Sequence, residues 1–208
     1  MFLVMARVAG YTIIELVITV AILGVLVSLG VPSFAEWLHN TQLRNGAESV
    51  LHGLQVARAE AVRRNGFVQF ILLPGTGTSF VRGGLTFNYG RGWRVVQVTP
   101  PSGGAGGGCV EIPDENGNFD LQRVNGGEGT GSVGTWNDPA ASNSVTFTPL
   151  GWIGSGNTSC GTPIAQLNFD SSSLDEGRSR ELRIQITTGG GIRLCDPQIG
   201  AGDPRGCI

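Results

Sequence analysis

The chain has 208 residues, room for one ordinary domain and an extension. Glycine is abundant at 34 and charge is sparse at 14%, with 14 Arg, no Lys and a net charge of −2. The glycines keep no three-residue period, which excludes collagen, and no basic run offers a surface for wholesale nucleic-acid binding.

The N-terminal third decides the class. Tyr11 to Val31 is an apolar run of 21 residues whose one charge is Glu15. As a helix it rises about 30 Å, the thickness of a bilayer core, and it exceeds the apolar stretch of a cleaved secretory signal. Arg7 before the run and Glu36 after it place the N-terminus in the cytoplasm and everything beyond about residue 35 outside it. A carboxylate inside such a span costs roughly 2.5–3.5 kcal/mol, so Glu15 calls for a partner. Cleavage after Gly10 would create one, the free α-amine of Tyr11 on a neighbouring copy.

Gly10-Tyr11-Thr12-Ile13-Ile14-Glu15-Leu16-Val17 resembles the processing signal of type IV pilins and type II secretion pseudopilins. There a Gly precedes the cut, an aromatic residue, usually Phe, follows it, and Glu stands four residues further on; Tyr11 is a departure from Phe. The resemblance implies a leader over 1–10, cut by a prepilin peptidase between Gly10 and Tyr11, with N-methylation of Tyr11. It also implies a transmembrane and filament-core helix over 11–34. Within it, Gly24 and Gly30 weaken the helix and Pro32 removes one backbone hydrogen bond and crowds the carbonyl of Ser28. The stretch Gly24–Pro32 is therefore where the helix should kink, or unwind on assembly.

The helical period continues over 35–65. Phe34, Trp37, Leu38, Leu43, Ala47, Val50, Leu51, Leu54, Ala57, Ala61 and Val62 form an apolar stripe, opposite Glu36, Arg44, Glu48, Arg58, Glu60, Arg63 and Arg64. Asn65-Gly66 ends the run. His39 and His52 face different ways on this helix and form no metal pair.

From Phe67 onward, short β-branched runs alternate with turns. Strands are predicted at Phe67–Leu73, Leu85–Tyr89, Trp93–Val98, Cys109–Ile112, Ser144–Thr148, Ala165–Phe169, Arg180–Thr187 and Ile192–Leu194. Thr99–Gly108 and Asn125–Asn143 read as long Gly-rich connections. Helix first and strands after gives an α+β class. Val145-Thr-Phe147-Thr-Pro-Leu-Gly151, Leu167-Asn-Phe169, Arg183-Ile-Gln-Ile186 and Gly191-Ile-Arg-Leu-Cys195 are similar to the GspH/FimT domain. So is Leu54-Gln-Val-Ala-Arg58-Ala-Glu60-Ala61, while the middle, about 99–143, lies outside the likeness. The implied fold is pilin-like: one long helix, its lower half transmembrane, packed on a mainly antiparallel β domain over 66–208.

Four cysteines occur without a CxxC pair, which argues against zinc and, outside the cytoplasm, for disulfides. Three pairings are open from the residues. The resemblance favours Cys195–Cys207, and Cys109–Cys160 is then the remaining pair. Gly129-Thr-Gly131-Ser-Val-Gly134 matches G-x-G-x-x-G but follows no strand and opens no helix. Asp114, Asn116, Asn118 and Asp120 have the spacing of a calcium loop but lack its Gly and its final Glu, and read as a turn. No nucleophile–base constellation, cofactor site or metal site is expected, so the chain is not read as an enzyme.

By resemblance it is a minor pilin or pseudopilin, with other pilins or pseudopilins, the prepilin peptidase, an inner-membrane assembly platform and, before assembly, the lipid bilayer as partners. Its place is the bacterial inner membrane and then the pilus or pseudopilus, and the Arg193-Leu-Cys195…Cys207 ending leans toward the pilus branch. The alternative is a DNA-binding pilus subunit. Some relatives bind DNA through a C-terminal G-R-x-R, which here reads Gly190-Gly191-Ile192-Arg193 and lacks the first Arg. Arg183, Arg193 and Arg205 would carry that activity. Nine Arg against twelve acids from Gly66 onward weaken it.

Overall fold

A computed structural model describes residues 10–100, 108–126, 133–200 and 202–207. It contains one long α-helix, α1 (Ile13–Arg64), and eleven strands. The strands are β1 (Phe67–Leu72), β2 (Ser79–Arg82), β3 (Leu85–Tyr89), β4 (Trp93–Thr99), β5 (Val110–Glu111) and β6 (Asp120–Val124). They continue with β7 (Gly134–Asp138), β8 (Ser144–Phe147), β9 (Gln166–Asp170), β10 (Leu182–Ile186) and β11 (Ile192–Cys195). The chain divides into two compact units, Met1–Leu38 and His39–Ile208.

In the first unit the helix is unbroken through Gly24–Pro32. Its apolar side chains stand open: Ile13, Ile14, Leu16, Val17, Ile22, Leu23 and Leu26 are all more than half exposed. No carboxylate or cation other than Glu15 lies between Ile13 and Ala35.

In the second unit α1 presents Leu43, Ala47, Val50, Leu54, Ala57 and Ala61, all buried, at alternating steps of four and three. This stripe joins one core with Val68, Phe70 and Leu72 of β1, Trp93 and Val95 of β4, Val145 and Phe147 of β8, Leu167 and Phe169 of β9, and Ile184 and Ile186 of β10. Phe34, Trp37, Leu38 and Val62, read as part of the stripe, are exposed and stay outside it. Trp93 is fixed by its indole N–H, which donates to Ser49 Oγ at 3.0 Å. The helix ends as Asn65 turns left-handed (φ 47°) and Gly66 N–H reaches back to Ala61 O at 3.1 Å. Asn tolerates this conformation better than other side-chain-bearing residues, so Asn65 itself makes the stop.

Two antiparallel sheets follow. One has the order β5-β4-β1-β8 with β6 also on β4; the other runs β11-β10-β9-β7-β3-β2. One strand therefore lies where a long connection was expected, and another, β6, in a stretch for which no element was predicted. β7 falls inside Asn125–Asn143 and pairs with both β3 and β9; β6 pairs with β4 across a register shift at Val95/Val96. β2, not foreseen in the sequence, forms a hairpin edge with β3. Apart from Val133 and Gly134, the G-x-G-x-x-G segment lies largely outside the described residues, and Gly134 opens β7. Asp114 Oδ1 accepts N–H bonds from Asn116 and Asn118 at 2.9 and 2.8 Å, so the calcium-like spacing is a turn that feeds β6.

Candidate functional site

The N-terminal segment gathers the residues predicted to act in processing and assembly. Gly10 and Tyr11 precede the helix in non-helical backbone; Tyr11 is 85% exposed, and no atom lies within 4 Å of where a Gly10 Cβ would stand. Thr12 caps the helix: its Oγ1 accepts the Glu15 N–H at 3.3 Å. Thr19 and Ser28 donate their hydroxyls to Leu16 O and Val25 O at 2.9 and 2.8 Å. Both of these bonds close within the helix itself, each to a carbonyl three residues back. Glu15 is exposed, and no ion pair forms to it among the described residues. Arg7, the nearest cation in sequence, lies outside the described residues. Gly24 also has nothing within 4 Å of its Cβ position among the described residues. Pro32 stands within the helix.

In the second unit the C-terminal arginines are engaged. Cys195 and Cys207 form a disulfide with Cα atoms 5.1 Å apart. The loop they close runs back along β11: Asp196 N–H donates to Arg205 O at 2.8 Å, and Arg193 Nη2 donates to Pro204 O and Gly206 O at 2.7 and 2.9 Å. Arg205 pairs with Asp203, with Nη2–Oδ2 at 2.8 Å, and this hydrogen-bonded guanidinium draws the Asp203 carboxyl down to about 2. Arg183 Nε donates to Asn168 Oδ1 across β10 and β9 at 2.6 Å. Of these three, Arg205 alone lines the cleft of about 350 Å³ beside the loop, together with Arg44 and Arg180 over a floor of Leu182, Leu194 and Ile199. Arg183, Arg193 and Arg205 therefore do not converge on that cleft.

The second disulfide, Cys109–Cys160, ties the segment before β5 to the loop after the short 3-10 turn Gly156–Thr158. A further polar centre escaped sequence reading. Asp170, fully buried, accepts Arg82 Nη1 on both oxygens (2.7 and 2.6 Å), the Ser171 N–H (2.7 Å) and the Ser179 hydroxyl (2.5 Å), while Arg82 Nη2 donates to Leu174 O at 2.6 Å. Burial, and the Asp170 charge close by, push the Glu181 carboxyl up. An Arg in an edge hairpin and an Asp at a strand end, 88 residues apart, carry no local signal that they meet. Among the described residues no group of three or more His, Cys, Asp or Glu is placed to hold a metal.

The family model described as "Type II transport protein GspH" matches residues 46–190. A "Fimbrial protein" of Pseudomonas aeruginosa is 31% identical over 88 residues, 35% of this chain and 57% of its own length, and a second protein of that description matches equally. The chain thus spans somewhat over half the length of these curated relatives. Two crystal structures of the Pseudomonas aeruginosa type IV minor pilin FimU align with TM-scores of 0.45 and 0.43 at 16% identity. The first alignment covers 76% of this chain and 94% of FimU, the second 74% and 97%.

Proposed function

The chain belongs to the family of the type II transport protein GspH, and from that premise we propose that it is a minor pilin-type subunit of a type IV pilus-like filament. It enters the inner membrane through the apolar span with its N-terminus in the cytoplasm and its β domain in the periplasm. The prepilin peptidase cuts between Gly10 and Tyr11 and methylates the new amine. The span then leaves lipid for the filament core, moved by the assembly platform and packed among other pilins.

Glu15 carries this reading. It is the one charge between Ile13 and Ala35, a stretch whose apolar side chains stand open, and has no cation beside it among the described residues. A carboxylate drawn into the apolar span costs up to the roughly 2.5–3.5 kcal/mol of a charge at the helix centre, and the Tyr11 amine of a neighbouring subunit offsets this when two helices lie side by side. The same charge disfavours the lone helix and favours the bundle.

The direct test is mass spectrometry of the mature N-terminus, expected to be N-methylated Tyr11; any other start overturns the processing step. Glu15→Val should leave membrane insertion intact and lower incorporation into filaments. Unchanged incorporation would defeat the pairing.

A further inference from the structure

Phe34 and Trp37 lie one helical turn apart on α1, with ring centroids 5.6 Å apart. They are 63% and 60% exposed, although an aromatic ring is the costliest side chain to leave in water. They also mark a boundary. From Ile13 to Ala35 the sequence holds one charge, Glu15, whereas Glu36, His39 and Asn40 follow at once. At 1.5 Å per residue the helix from Ile13 to Phe34 rises about 32 Å, so the ring pair emerges just beyond a hydrocarbon core of about 30 Å. Apolar rings with one polar N–H suit the layer where acyl chains give way to headgroups.

We infer that Phe34 and Trp37 form an interfacial belt that fixes the depth of the unassembled helix, their exposed faces being covered by the headgroup–acyl boundary of a phospholipid leaflet. The inference rests on the reading of this helix as a membrane anchor and adds to it a specific register. With the ring pair held at the outer boundary, Glu15 lies within about one turn of the opposite one. There its carboxylate is only partly hydrated, and a neighbouring amine completes its solvation.

The test uses the full mature chain in phosphatidylethanolamine–phosphatidylglycerol vesicles containing lipids brominated either near the headgroup or near the chain end. The Trp37 contribution to emission is the difference between this chain and Trp37→Phe, since the other three tryptophans all lie in the second unit. Shallow bromines should quench that contribution at least about twofold more than deep ones, as an interfacial tryptophan requires. Equal quenching, stronger deep quenching, or none, in a chain that floats with the vesicles and resists alkaline extraction, overturns the belt and leaves the anchor standing. A chain that fails to float or is extracted overturns the anchor and the belt together.

Discussion

Arg82 and Asp170 form an ion pair in which the carboxylate is fully buried and the Arg82 side chain 16% exposed. It fastens the edge hairpin of β2 and β3 to the end of β9, and through Ser179 and Leu174 O it holds the loop that follows. Arg82→Met removes one partner and strands a buried charge, an effect worth about 3 kcal/mol or more. Replacing both members, Arg82→Met with Asp170→Leu, should not restore stability. The Ser171 N–H and the Ser179 hydroxyl then lose their acceptor in turn. Guanidinium unfolding of the detergent-solubilised variants reads both results.

What the sequence revealed follows the reach of each interaction. The helix stripe and the alternation of Leu182, Ile184 and Ile186 are periodic, and the structure builds α1 and β10 on them. β7 reads Gly-Thr-Trp-Asn-Asp, a poor strand by local preference, and exists because β3 and β9 supply ladders on both sides. Gly134 is needed there for space: a Cβ would stand 2.3 Å from Phe80 Cε1 and 2.8 Å from Phe87 Cβ. β6 escaped notice because its Asp, Gln and Arg positions obscure alternation; Arg94 of β4 bridges Glu111 of β5 and Asp120 of β6 instead. The residues of the N-terminal motif are contiguous in the sequence and can be read there as a pattern, whereas Arg82 and Asp170 leave no such pattern because they meet only in the fold.

The C-terminal loop is held twice, by the Cys195–Cys207 bond and by Arg193 on two loop carbonyls. Replacing both cysteines by Ser should cost about 3 kcal/mol in the loop-entropy view, less whatever Arg193 preserves in the open form. Arg193→Ala should leave the disulfide intact yet speed proteolysis within residues 199–206, because two carbonyls lose a charged donor. An unchanged cleavage rate would show that the disulfide alone orders the loop.

Asp203 provides a pH signature. The Arg205 side chain donates to it, as does the Arg205 backbone N–H, holding its carboxyl at about 2 against an ordinary value of about 3.9. A folded value below the unfolded one means that the pair favours the folded loop above the ordinary value. That contribution is lost as pH falls from about 4 toward about 2. NMR titration of the Asp203 carboxyl should show the low midpoint. Arg205→Ala should raise it toward the ordinary value, and high salt should raise it part of the way, since the pair lies at the surface.

Two helix glycines should respond oppositely to alanine. At Gly53 a Cβ would stand 2.8 Å from Trp93 Cδ2 and Cε3 and 2.9 Å from Phe70 Cε2. The Trp93 indole is tied to Ser49 and stacked on Phe70, so it has little room to yield. Overpacking of about 1–3 kcal/mol outweighs the helix-propensity gain of about 1 kcal/mol, and Gly53→Ala should lower the unfolding midpoint. At Gly24 nothing lies within 4 Å, so Gly24→Ala keeps the propensity gain without a clash. Its helix should be the more stable in vesicles, read as amide exchange across 24–32. If filament formation requires this stretch to unwind, the same added stability opposes assembly, and incorporation should fall while membrane insertion does not. Normal incorporation of Gly24→Ala would show that the filament accepts this stretch as helix.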